Sequence, residues 1–470
     1  MVKKLQSFET FAGCGGLALG LKSAGFELKL ANEFSLNASQ TFAHNILGDK
    51  SKVFSVAEIA NYNWEEPKVI QGDFVRIVDQ VEKDLKLRSK FSDLDLISGG
   101  PPCQGFSLAG KRKAGVAKNN LPFEFIRFVE LVRPKAVLIE NVLGILSPFL
   151  SDGNSETASK QIVMALSNLD YNVGVFKLNS ALVGVAEKRI RVFFLALRKD
   201  VFSRIDSHRE FLNHFNETNL TKEIDVLDVV DWTSEIPIES LQKFVSDKQY
   251  SVKLAINDLL PKTSSPSAYV SNRVNKILNP FVAHGKRSNK MRNHEVRTHT
   301  QRVVRRFRLR QLFIDDYELY SEVSHYLRYG KHTIDFNRYA ELLDEIKSDK
   351  LLGQELAPPS LEGMKTLLNR HKSKKHSQRV LKANMPSHTI VTIPDDLIHY
   401  DKECPRVLTV RESARIQSFP DKFEFLGKAT TGGHLREVEA PQYTQVGNAV
   451  PPLVGRFWGL IISELISNEG

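Results

Sequence analysis

For its first two hundred residues the chain alternates short apolar runs with stretches of helical spacing, and this alternation constrains the fold more than any other feature. Residues 5–11 read as a strand that runs into a glycine-rich turn, and residues 17–23 as the helix that follows. Residues 26–31 and 36–47 repeat the pair. Residues 93–98 read as a buried strand stopped by Gly-Gly-Pro-Pro. Residues 123–132 have helical spacing and end before Pro134, while 135–140 and 191–197 are two more apolar strands. Strands alternating with helices predict an α/β fold built on a doubly wound parallel sheet. Ligands of such sheets sit beyond the carboxyl ends of the strands, which gathers the motifs below into one site.

The rhythm breaks near residue 200. Residues 200–385 are irregular and more polar, and compact patterning returns from residue 407 to an apolar helix over 453–466. The expected organisation is a Rossmann-like domain begun by 1–199 and completed by 386–470, with 200–385 as a second, smaller unit. That unit holds a basic stretch. Residues 284–310 contain ten Lys or Arg, among them Arg297, Arg302, Arg305, Arg306, Arg308 and Arg310, against the single acid Glu295. Residues 370–376 form a second basic cluster. The whole chain of 470 residues carries 65 basic and 55 acidic residues, a net charge of +10 that suits a polyanionic partner.

Composition excludes several classes. Hydrophobic residues make up 41% and charged residues 26%, which is ordinary globular usage and argues against a disordered or fibrous chain. No uninterrupted apolar run reaches the roughly 18 residues of a membrane span, so no membrane association is expected. The two lysines near the start lack an apolar segment behind them, unlike a signal peptide. Cys14, Cys103 and Cys404 are scattered, which gives neither a disulfide framework nor a metal pair. The expectation is a cytoplasmic protein without a structural metal.

Four groups of residues fall at predicted strand ends. In Phe11-Ala-Gly13-Cys-Gly15-Gly16 the glycines allow a tight turn and close approach of a ligand to the backbone. Glu33 follows at the end of the second strand, where a carboxylate can accept hydrogen bonds from ribose hydroxyls. Gly72-Asp73-Phe74 adds an acid and an apolar wall. Each of these alone is equally well a structural turn or a solvated loop. The segment Ser98-Gly-Gly-Pro101-Pro102-Cys103-Gln104-Gly105-Phe106-Ser107 is more specific. Two prolines stiffen a loop just past a strand end and aim a thiol into the cleft, which is a poor place for an inert core cysteine. The basic, glycine-containing residues 108–120 after it read as a movable cover. Glu140 closes the strand 135–139, and Arg189 and Arg191 share one strand face, where they can hold a carbonyl oxygen or a phosphate.

In this order the motifs resemble those of the DNA (cytosine-5) methyltransferases of bacterial restriction–modification systems. The resemblance also takes in Leu408-Thr-Val-Arg411-Glu412-Ser-Ala-Arg415-Ile-Gln417-Ser-Phe419-Pro420 and Gln445-Val-Gly447-Asn448-Ala-Val-Pro-Pro452. It covers 1–199 and about 386–470, and residues 200–385 take the place of the family's variable target-recognition region. One departure is Ala186-Glu187, where the family usually has Pro-Gln before its arginines.

The resemblance implies S-adenosylmethionine as cofactor, bound by Phe11, Gly13, Gly15, Gly16, Glu33, Asp73, Phe74, Pro102 and Asn448. It implies double-stranded DNA as substrate, with the target base flipped out of the helix. Cys103 would add to carbon 6 of cytosine, Glu140 would serve ring N3, and Arg189 and Arg191 would complete the catalytic set with Arg191 on the O2 side. Gln104, Ser107 and Thr389 would lie near the DNA, joined by Arg297, Arg302, Arg305 and Arg306 of the basic stretch. A monomer is implied, and a restriction endonuclease of the same sequence as functional partner without a stable complex. Competing readings are a tRNA methyltransferase of the same fold, whose Cys-Phe-Thr signature is not found here, a catalytically inactive DNA-binding regulator, and a nicotinamide-dependent dehydrogenase, which leaves the Pro-Pro-Cys-Gln loop unexplained.

Overall fold

A computed structural model describes residues 4–102, 120–147, 157–205, 208–216, 227–263, 265–283, 291–329, 340–356, 360–373, 375, 378–432 and 435–467. Its central sheet contains β1 (Gln6–Thr10), β2 (Glu27–Glu33), β3 (Val53–Ser55), β4 (Lys68–Gln71), β5 (Leu96–Gly99), β6 (Ala136–Asn141) and β7 (Tyr171–Asn179). The two-residue β8 (Glu187–Lys188) lies outside it, and β9 (Ile190–Arg198), β10 (Phe215–Asn216) and β11 (Val230–Trp232) complete it. The strand order is β10-β7-β9-β6-β5-β1-β2-β4-β3, with β11 also on β7.

Strands β1 to β6 of this sheet run parallel. The expectation of parallel strands fails at one edge, where β9 lies antiparallel between β6 and β7. Apolar content cannot report strand direction. The reversal has a consequence, because it brings the start of β9, not its end, to the edge where the other strands finish. Strand order reverses at β1, the position where doubly wound sheets bind ligands.

Alternate residues of each strand enter opposite cores. Leu96, Ala136, Leu138, Phe193 and Leu195 face one hydrophobic cluster, and Ile97, Val137, Ile139, Val192 and Phe194 face the other. Burial on both faces is why these strands read as continuous apolar runs. The second cluster is covered by α3 (Phe74–Lys83) and by the helices Leu121–Val132 and Ala158–Asn168. The first is covered by α1 (Gly16–Ser23), α2 (Leu36–Ile46) and the terminal helix Pro452–Ser467. Glycines let α1 and the terminal segment touch backbone to backbone. A Cβ on Gly20 would stand 2.3 Å from the Pro452 carbonyl oxygen, and one on Gly16 would stand 2.3 Å from that of Val450. This contact docks the C-terminal return. The stretch Gln442–Ser467 does match a spanning helix in length, with a mean hydropathy of 1.3, but 72% of its apolar window is buried inside the protein.

The packing does not divide at residue 199. Trp232, Tyr250, Val252, Tyr269, Val274 and Leu278 join the same cluster as α1 and the terminal helix. Among the described residues, most of 301–370 is helical rather than irregular. Helices Gln301–Leu312, Tyr317–Tyr329, Ala340–Ser348 and Leu361–Arg370 surround their own core of Leu309, Leu312, Leu327, Ile346, Leu367 and Leu368. The chain then returns through β12 (Arg379–Val380), β13 (Ser387–His388) and β14 (Leu397–Ile398). Strand β13 lies parallel to β8, which fastens the return to the first two hundred residues.

Candidate functional site

At the end of β1 the backbone turns sharply. Phe11, Gly13 and Gly15 have φ of 51°, 57° and 96°. A left-handed phenylalanine is costly, and such strain concentrates at functional positions. The turn is held by Glu33, which accepts hydrogen bonds from the Gly13 and Ser35 backbone N–H groups, both at 2.8 Å. Burial raises the Glu33 carboxyl above its usual range. Each oxygen keeps a lone pair free for a ligand donor. Asn32 donates to the Ile70 and Gly72 carbonyls and so joins the end of β2 to the Gly72-Asp73 turn. Phe11 meets Phe74 edge to face at 5.1 Å. Asp73 has a structural duty as well, since it caps α3 by accepting from Val75 N–H at 3.0 Å.

Beneath this turn lies Glu9, an acid that the motif reading passes over. It is 2% exposed, and burial raises its carboxyl well above the ordinary value, with Glu33 nearby adding to the effect. A lone acid in an apolar strand just before a glycine turn is the signal that could have marked it. Cys14 is buried, its Sγ reaches the Gln445 carbonyl at 3.6 Å, and burial pushes its thiol far up. That chemistry makes it inert.

The second cluster gathers at the ends of β5 and β6. Gly100 lies against Glu140, since a Cβ there would stand 3.0 Å from Glu140 Oε2. Asn141 Nδ2 donates to the Pro101 carbonyl at 3.2 Å and holds the first proline of the Pro-Pro-Cys loop over the same strand. Pro102 is half-buried beside it. Cys103, Gln104 and Ser107, with most of the expected cover at 108–120, lie outside the described residues. Arg191 reaches Glu140 from the start of β9, with Nε 3.1 Å from Oε1 and both side chains largely shielded from water. The antiparallel course of β9 produces this meeting.

Arg189 does a different job from Arg191. It is 2% exposed and donates to the carbonyls of Ile390 and Gly447 at 3.2 and 3.0 Å. It thereby joins β9, the return and the end of the helix Gln442–Asn448, where Asn448 is exposed. Burial, with Arg191 close by, lowers its guanidinium to about 10. Glu187 lies 3.8 Å from Arg189 and accepts the Ile390 backbone N–H through Oε1. Its Oε2 has no partner among the described residues, and burial raises the carboxyl. The departure at Glu187 thus keeps one carboxyl oxygen on the Ile390 backbone N–H. Thr389 sits beside this seam and donates from Oγ1 to the Lys188 carbonyl at 3.2 Å.

The basic stretch looks different in space. Arg305 pairs with Glu355 at 2.6 Å, Arg308 with Asp349 at 2.5 Å and Arg297 with Asp395 at 3.0 Å. Arg310 is 2% exposed and donates to Ser324 Oγ at 3.1 Å. Arg306 donates to the His371 carbonyl at 3.0 Å, and Arg302, which is exposed, to that of Arg370 at 2.8 Å. Most of the cations expected along DNA therefore brace the helical unit internally.

The chain is similar to known proteins. The sequence model of the C-5 cytosine-specific DNA methylase family matches residues 5–463. The chain is 30% identical to the type II methyltransferase M.DdeI of Desulfomicrobium norvegicum over 465 residues, which cover 95% of this chain and 86% of that protein. It is 28% identical to the type II methyltransferase M.AgeI of Thalassovita gelatinovora, covering 98% of this chain and all of the relative. A prophage-encoded E. coli protein described as a DNA modification methyltransferase has the same fold, with a TM-score of 0.52 at 21% identity over 99% of this chain and 100% of its own.

Proposed function

Because the chain belongs to the C-5 cytosine-specific DNA methylase family, we propose that it moves the methyl group of S-adenosylmethionine to carbon 5 of one cytosine in a particular duplex sequence. The observation that carries this reading is the Glu140–Arg191 pair, set at the strand ends against Gly100 and Pro101, which precede Cys103 in the chain. Relatives named as type II methyltransferases support a protective role in a restriction–modification system, in which an endonuclease of the same specificity would be the functional partner and a monomer would suffice as the working form.

The β1–β2 end of the sheet fits the cofactor. Glu33 offers free lone pairs to ribose hydroxyls, and the Phe11–Phe74 pair gives an apolar wall for a base. S-adenosylmethionine supplies an electrophilic methyl group there. Asp73 follows the Gly72 turn at the same end, the family resemblance adds Pro102 and Asn448, and the glycine turn gives the close backbone approach.

Carbon 5 of cytosine is a weak nucleophile. The Cys103 thiolate adds to carbon 6 of the flipped base and forms a C–S bond. The electron pair displaced from the C5–C6 double bond moves toward N3, where Glu140 hydrogen-bonds the ring or gives it a proton. Arg191 steadies the O2 side and keeps Glu140 in place. Carbon 5 of the enamine would then take the methyl group supplied by the bound cofactor, whose S–CH3 electron pair would stay on sulfur as S-adenosylhomocysteine leaves. A base takes the carbon 5 proton, the double bond re-forms and the thiolate leaves.

Methyl transfer from labelled S-adenosylmethionine to duplex DNA tests the reading. The wild type labels duplex DNA at cytosine, and DNA carrying 5-fluorocytosine traps it covalently because fluorine cannot leave as the proton does. Cys103→Ala abolishes both while cofactor binding persists. Full activity of Cys103→Ala, or labelling of tRNA in place of DNA, would overturn the reading.

A further inference from the structure

Most arginines of Gln301–Leu312 are engaged within the protein, although Arg302 stays exposed, which raises the question of what else holds the nucleic acid. A second basic group exists that no motif announces. The parallel pairing of β8 with β13 sets Lys188 directly opposite His388. Both are exposed, as are Arg379 on β12 and Lys382 just after it. Among the described residues none of the three cations has an acidic partner. Their nearness is felt at His388, whose imidazole is lowered by partial burial and then by Arg379, Lys188 and Lys382, with no carboxylate opposing them. These four residues come from three separate segments, and the fold brings them together beside Arg189, Arg191 and Thr389.

We propose that Lys188, Arg379, Lys382 and His388 form the surface that grips the DNA phosphate backbone next to the target cytosine. The proposal rests on the DNA-methylating function above. A cluster of cations without acids is unfavourable in isolation and gains from a polyanion, since each neutralised phosphate releases counterions. The position suits the task. Lys188 lies between Glu187 and Arg189, so a phosphate held there stands at the catalytic strands and not at a remote face. His388 adds a proton-linked contact. Facing it are Lys188 from β8, Arg379 from β12 and Lys382 from the following turn. A phosphate reverses the local potential, so binding draws a proton onto the imidazole and affinity falls as pH rises.

Fluorescence anisotropy with a labelled duplex, measured over a salt series alongside methyl transfer, decides the matter. All of these side chains are exposed, so their replacement leaves the core intact. Lys188→Ala/Arg379→Ala/Lys382→Ala is expected to flatten the slope of log affinity against log salt by about three units, about 0.9 for each phosphate contact, and to weaken binding at least about tenfold at low salt. Arg308→Ala, on the inward helix, is expected to keep the wild-type slope. His388→Gln is expected to lose the decline of affinity between about pH 6 and pH 8. A triple variant with the wild-type slope, in a preparation whose wild type binds and methylates duplex DNA, overturns the proposal alone. A wild type that neither binds nor methylates duplex DNA overturns the function on which it rests, and the proposal with it.

Discussion

The helix Gln301–Leu312 has five arginines in twelve residues, whereas the β8–β13 seam has two basic residues on its paired strands and borrows two from the return. By sequence density the helix is the nucleic-acid surface. In space most of those arginines already have partners within the protein. Acids 41 and 50 residues away, Asp349 and Glu355, neutralise Arg308 and Arg305, and Arg310 is buried. No described acid answers the seam. Charge counted along a chain measures how many cations there are, and availability depends on which of them the fold has already paired.

Three measurements can break or sharpen this contrast. The largest effect belongs to the helix. Removing the Arg308 side chain leaves Asp349, whose side chain is 5% exposed, without its guanidinium. Breaking a buried pair costs about 3–5 kcal/mol, so Arg308→Ala should lower the urea midpoint markedly; unchanged stability would mean the pair is idle and the arginine available. The next effect belongs to the inner side of the seam. Glu187 has a raised carboxyl, so the folded state holds a proton that the unfolded chain releases. Stability must then fall as pH climbs from the ordinary carboxylate range to that raised value, by up to about 1.4 kcal/mol per pH unit. Glu187→Gln should remove this slope and keep methyl transfer; a wild-type pH profile in the variant would show that the carboxyl is ionised in place. The smallest effect belongs to the seam's outer face. Lys188→Ala should change unfolding free energy by less than about 0.5 kcal/mol, and a larger loss would make Lys188 a structural residue like Arg308.

Much of the site was legible before any coordinates. Glu33 at a strand end, the turn Phe11–Gly13 and Glu140 beside the Pro101 loop follow from strand ends meeting at one edge of a sheet. Less legible was the helical unit at 301–370. Its apolar positions, such as Phe307, Leu309 and Leu312, are interleaved with arginines, and this masks the period of a helix whose long charged side chains also pack inward. Asp73 was read toward a ligand, yet its nearest duty is the α3 cap, a choice that depends on where a helix begins.

Local chemistry determined the strands, the glycine turn and the residue types at their ends, because backbone propensity and burial on both sheet faces act over a few neighbours. Direction and partnership were decided only by the fold. Nothing within residues 190–198 states that β9 runs antiparallel, although that reversal places Arg191 on Glu140. Nothing near residue 188 announces Arg379, Lys382 and His388, about two hundred positions away. Coulomb forces and desolvation depend on distance in space and on shielding from water, so whether an arginine pairs inward or a cluster stays open to a phosphate is settled only when the distant segments have packed.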